Sequence, residues 1–124
     1  MHRITAIHHI SVLVADTGRA LQFYRDLLGL TVDHGRPDLG YPGAWLTIGT
    51  QQIHLLELLK SDSIQKSSAH GGRDRHVALQ VSDLTALETA FQSARIAYAR
   101  SRSGRSALFC RDPDGNALEF IASA

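Results

Sequence analysis

A chain of 124 residues, 44% hydrophobic and 20% charged, has the size and balance of one globular domain or of two half-size modules that fold together. A formal net charge of +1 gives the whole protein no electrostatic case for nucleic acid or a membrane surface, and no run approaches the roughly 20 apolar residues that span a bilayer. The single cysteine, Cys110, excludes an internal disulfide and fits a reducing compartment; it reads as a small apolar strand residue rather than a reactive thiol.

The start, Met1-His2-Arg3-Ile4-Thr5-Ala6, reaches a ligand-like histidine within nine residues. That leaves no room for a signal peptide, so the expected location is cytoplasmic. Residues 7–14 alternate, with Ile10, Val12 and Val14 on one face and His9, Ser11 and Leu13 on the other. Asp16 stands where a helix N-cap belongs. Ala20, Phe23, Tyr24, Leu27 and Leu28 recur at helical spacing and Gly29 is a stop, which predicts a helix over 17–28. Leu30 to Asp33 is extended. His34 to Gly43, with Pro37, Pro42 and three glycines, is a loop. Ala44–Ile48 and Gln52–Leu58 are strands joined at Gly49-Thr50. Residues 60–75, rich in Ser, Gly and charge, link to a second unit, and Gly71-Gly72-Arg73 within them is read as a flexible connection rather than a lid.

The order then repeats. A strand over 76–81 leads to Asp83 as N-cap and to a helix carrying Leu84, Leu87, Phe91 and Ala94. Tyr98–Arg102 and Ser106–Cys110 form a hairpin around Ser103-Gly104. Asp112-Pro113-Asp114-Gly115 is a turn before the last strand, Ala117–Ala122. The repetition extends to chemistry. His-Ile-Ser-Val-Leu-Val-Ala-Asp at 9–16 matches His-Val-Ala-Leu-Gln-Val-Ser-Asp at 76–83, an offset of 67 residues. Ile53-His54-Leu55-Leu56 matches Leu118-Glu119-Phe120-Ile121 at an offset of 65. Strand alternation turns Ile10, Ile53, Val77 and Leu118 toward their helices, and His9, His54, His76 and Glu119 away from them. Four ligand-type residues on the non-helix face, one at the first and one at the last strand of each unit, predict a single site built by two half-barrels. His8 and Glu57 fall at a strand edge or on the helix side and are set aside. His2, His34 and His70 lie in terminal or loop segments and receive no role.

These residues resemble the vicinal oxygen chelate superfamily, also called the glyoxalase/bleomycin resistance/dioxygenase superfamily. The resemblance covers nearly the whole chain. Its carriers are Ile7-His8-His9-Ile10-Ser11, Phe23-Tyr24-Arg25-Asp26-Leu27-Leu28-Gly29-Leu30, Arg75-His76-Val77-Ala78 and Arg111-Asp112-Pro113-Asp114-Gly115-Asn116-Ala117-Leu118-Glu119-Phe120. It implies an α+β fold of two βαβββ modules, 1–59 and 76–124, curling into an open eight-stranded cup, and a homodimer. It implies a divalent metal (Ni, Co, Zn, Mn or Fe) held by His9, His54, His76 and Glu119. His54 departs from the family pattern: glyoxalase I usually has a glutamate there, and methylmalonyl-CoA epimerases a glutamine. It stands either as a ligand or as a hydrogen-bonding neighbour of one.

The activity implied is that of a glyoxalase-type lyase or isomerase. Its small-molecule substrate would chelate the metal through vicinal oxygens, with Glu119 as the base. The alternatives are an Fe(II) ring-cleaving dioxygenase, a fosfomycin-type transferase and a non-catalytic drug-binding protein of the bleomycin resistance type. Arg100, Arg102 and Arg105 share one hairpin; they are read as solvated, with recognition of an anionic substrate as the functional alternative. Trp45 either lines the site or packs between modules.

Overall fold

Two aspartates set the start of both helices. In the computed structural model, which describes residues 1–59 and 68–123, Asp16 and Asp83 are extended and each accepts a backbone N–H from the first helical turn, Arg19 at 2.8 Å and Ala86 at 2.9 Å. Both cap a strand-to-helix turn by the same chemistry. The chain divides into two compact units, Met1–Asp62 and Ser63–Ala124.

In the first unit the order is β1 (His9–Leu13), α1 (Thr17–Leu21), a π-helical turn (Gln22–Leu27), β2 (Thr31–Asp33), β3 (Gly43–Ile48) and β4 (Gln51–Leu56). The sheet order is β1-β4-β3-β2, with β1 parallel to β4 and the other pairs antiparallel. The sequence predicts one regular helix over 17–28; instead it widens after Leu21. The Leu28 N–H reaches the Phe23 carbonyl at 2.9 Å, five residues back. The wider turn buries the consecutive Phe23 and Tyr24 together, their rings meeting edge to face at 5.0 Å. Gly29, at φ +78°, ends the helix in the left-handed region. Val14, Ala20, Leu46, Ile53 and Leu55 complete this core.

The second unit repeats the plan with β5 (His76–Val81), α2 (Leu84–Ser93), β6 (Tyr98–Arg100), β7 (Ala107–Arg111) and β8 (Ala117–Ala122), in the sheet order β5-β8-β7-β6 with β5 parallel to β8. Its core holds Phe91, Leu108, Leu118 and Phe120, with Phe91 edge-on to Phe120 at 5.6 Å. Each unit is thus a βαβββ module of α+β class, as the repeat predicts. Of the expected link, residues 60–67 lie outside the described residues. Residues 71–73 form a 3-10 turn folded onto the second sheet, where a Cβ on the buried Gly71 would sit tightly, 3.3 Å from the Ala117 Cβ and 3.4 Å from the Phe109 ring. No helix of the described residues is long and apolar enough to cross a membrane.

Candidate functional site

The register of the central strand pair explains why the candidate ligands pair within each unit. On the parallel β1–β4 pair, His9 faces Gln52 and Ser11 faces His54. On β5–β8, His76 faces Ala117 and Ala78 faces Glu119. In both, the second ligand candidate lies two residues beyond the partner of the first, so the two share a face. The duplication therefore brings together His9 with His54, and His76 with Glu119. Among the described residues no three His, Cys, Asp or Glu side chains gather closely enough to hold a metal ion; the donors stand two by two.

In the second unit the pair converges. His76 Nδ1 lies 2.9 Å from the Asp74 carbonyl oxygen, which can only accept, so Nδ1 carries a proton and Nε2 is the nitrogen turned toward Glu119. That Nε2 stands 3.3 Å from Glu119 Oε1. Two donors bound at about 2.0–2.2 Å to one ion stand roughly 3–3.5 Å apart at ordinary coordination angles. The spacing of the pair therefore fits two donors to one divalent cation. The Glu119 side chain is only 2% exposed, and its other oxygen, Oε2, accepts from Arg105 Nη2 at 3.1 Å. A buried carboxylate needs such a counter-charge. Phe109 meets the His76 ring edge-on at 5.2 Å.

The support behind His76 is built as carefully. Asp74, whose carbonyl fixes the ring, is buried and paired through Oδ2 with Arg111 Nη1 at 2.9 Å. Arg111 also donates to the Gly115 carbonyl at 2.8 Å, tying β5 to the turn before β8. His70 lines a cavity together with His76 and Glu119. Its Nδ1 accepts the Gly72 N–H at 3.0 Å, so its Nε2 carries the proton and donates to the Arg100 carbonyl at 3.2 Å. The sequence assigns His70 no role; it fastens the 70–73 turn to β6.

In the first unit the pair stacks instead. The His9 and His54 rings lie 3.9 Å apart at 15°, and Trp45, opposite His54 on β3, covers the other face at 4.4 Å and 9°. Parallel rings aim their in-plane lone pairs side by side rather than at one point. His54 Nε2 lies 2.8 Å from Gln52 Oε1, while the Gln52 amide donates to Asp33 Oδ2 at 2.8 Å. Gln52 therefore offers its carbonyl, His54 Nε2 holds the proton, and Nδ1 keeps the lone pair. Burial, then the neighbouring His9, His8 and Arg36, push the His54 pKa below the ordinary histidine value. A neutral imidazole is the form that binds metal. Asp33 is held below the usual carboxylate range by the Gly35 N–H and Gln52. His8, set aside as a ligand, bonds His9 through Nδ1 at 2.9 Å and so orients that ring.

One of the features above was within reach of the sequence and two were not. Gln52 precedes His54 by two residues on a strand, so alternation alone places it on the same face. Arg105 hides in a hairpin that reads as solvated, and Arg111 in a motif that reads as a turn. Glu57, set aside as a ligand, accepts the Thr17 N–H on Oε1 at 2.8 Å. Cys110 is buried, and burial pushes its thiol up to about 12, which makes it a poor nucleophile.

Residues 6–120 match the model of the Glyoxalase/Bleomycin resistance protein/Dioxygenase superfamily, and the chain belongs to that superfamily. Among its relatives is Glyoxylase I 4 of Arabidopsis thaliana, 28% identical over 122 residues, which are 94% of this chain and 70% of that protein. The mitochondrial methylmalonyl-CoA epimerase of Mus musculus is 32% identical over 91 residues, 68% of this chain but only half of the mouse protein. A glyoxalase family protein from Bacillus anthracis shares the fold at a TM-score of 0.78 and 21% identity, across 100% of this chain and 99% of that one.

Proposed function

We propose that this chain is a divalent-metal-dependent lyase or isomerase of glyoxalase type, cytoplasmic and homodimeric, with His9, His54, His76 and Glu119 as the metal ligands. Each unit supplies two of the four. The observation that carries this reading is the His76–Glu119 pair, in which a backbone carbonyl holds the ring with Nε2 facing a buried carboxylate 3.3 Å away. The kinship with a glyoxalase I-type and an epimerase sequence supports the class of reaction. Ni, Co, Zn, Mn and Fe(II) all accept a mixed histidine and carboxylate set.

When bound, the metal would hold two neighbouring substrate oxygens and stabilise the negative charge left as a proton departs the adjacent carbon. Glu119, partly released from such an ion or acting beside it, would take that proton on a carboxylate oxygen. Arg105 keeps the Oε2 side of the carboxylate oriented, and Asp74 keeps the His76 ring from turning.

The test is solvent exchange. Metal-loaded protein in D2O is incubated with the thiol adduct of a 2-oxoaldehyde and, separately, with a 2-methylmalonyl thioester. Deuterium appearing at the carbon beside the carbonyl, and lost in Glu119→Gln, supports the reading. No exchange with either compound and any of the five metals overturns it in favour of a binding role.

A further inference from the structure

The three arginines of the β6–β7 hairpin do not act together. Arg100 points to α2, where its Nη2 meets Glu88 Oε2 at 2.7 Å beside the Tyr98 hydroxyl. Arg105 turns the other way, onto Glu119. With Arg102 and Arg73 it lines a cavity of about 280 Å³ whose walls also carry Ser101, Ser103 and His76. Arg102 and Arg105 line it together with one carboxylate, Glu119. The excess is positive beside a buried catalytic carboxylate.

The loop is organised to hold this charge. Ser101 and Ser103 share a hydroxyl hydrogen bond at 2.8 Å, Ser103 Oγ accepts from Arg105 Nε at 3.1 Å, and Gly104 makes the turn at φ +85°. Serine hydroxyls and guanidinium forks are the donors that recognise oxyanions. A whole ligand occupies about 300–1,000 Å³, so this cavity suits one group of a substrate.

We propose that Arg102 and Arg105, with Ser101 and Ser103, form an oxyanion subsite that takes a carboxylate or phosphate-type group of the substrate and competes with Glu119 for Arg105. The substrate class is then an anionic compound whose charged group lies close to its reacting carbon. As a statement about substrate, this rests on the metal-dependent reading; as a statement about anion binding, it stands alone.

Calorimetric titration of the full chain with inorganic phosphate, and in parallel with malonate, tests it at low ionic strength, with metal content measured on the same samples. Saturable binding of either anion is expected, and which one binds distinguishes a tetrahedral from a planar group. Arg102→Ala and Arg105→Ala should each weaken it about tenfold, the loss expected for one charge-assisted contact. Arg100→Ala should leave it within about twofold, because that side chain is committed elsewhere. Glu119→Gln, which removes the internal competitor, should tighten it several-fold. Binding of neither anion overturns the proposal. So does equal weakening by Arg100→Ala, or indifference to Arg102→Ala in protein that keeps its metal, since the anion would then sit on the metal itself. Intact, arginine-dependent phosphate binding in metal-free protein leaves the subsite standing and removes only the metal reading.

Discussion

The two modules are copies in backbone and unlike in chemistry. Both start their helices with an aspartate cap, and both place two candidate ligands on neighbouring parallel strands in the same relative register. In the second unit those donors converge on a point, pinned by Asp74 and Arg105. In the first they lie flat against one another under Trp45, with a neutral His54 held by Gln52. Duplication preserves what the backbone dictates; the side chains packed around the donors decide which copy is poised to bind.

The largest expected break in that comparison is Arg111→Ala. Buried Asp74 would lose its closest ion-pair partner and keep the Arg75 N–H and a longer contact to the Arg75 guanidinium, a loss of about 3 kcal/mol. Urea unfolding should show it as a lower midpoint, and the paired change Asp74→Asn with Arg111→Ala should recover part of it. The first unit shows no ion pair in the corresponding place among the described residues, which makes this dependence a property of one copy.

The shared features should cost the same in both copies. Asp16→Ala and Asp83→Ala each remove one cap and should each cost about 1 kcal/mol. Unequal losses would mean that the wide turn after Leu21 has changed how much the first helix depends on its start.

The smallest effect is in pH. His54 titrates lower folded than unfolded, so the unfolded chain takes up its proton first and stability falls as pH drops below about 6.5. His54→Phe, which keeps the stack without the titration, should flatten that part of a stability profile taken from pH 7.5 to 5.5. A profile unchanged by the substitution would place the acid sensitivity elsewhere.

The repeat makes much of this legible in advance. Strand alternation puts His9, His54, His76 and Glu119 on one face, and the register bears out that sharing within each unit. The helix of the second unit ends where its apolar spacing does, and the two caps are visible as aspartates. What is not legible depends on through-space neighbours of remote sequence position. Arg105 reaches Glu119 across 14 residues and Arg111 reaches Asp74 across 37. The widened turn at Gln22–Leu27 escapes for another reason: a π-helical turn carries the same apolar residue types as a regular one. His70 is silent in sequence because its role lies in two hydrogen bonds of a short turn, with no periodicity to announce it.

The most direct test of the central claim is the affinity of the untagged protein for Ni, Co, Zn, Mn and Fe(II), measured by equilibrium dialysis and elemental analysis beside Glu119→Ala, His76→Ala, His9→Ala and His54→Ala. The account predicts near-stoichiometric metal in the parent. It predicts loss on the order of 100-fold or more for Glu119→Ala and His76→Ala, with His54→Ala the mildest. A parent that stays metal-free with all five ions, or a His76→Ala variant that binds as well as the parent, would contradict it.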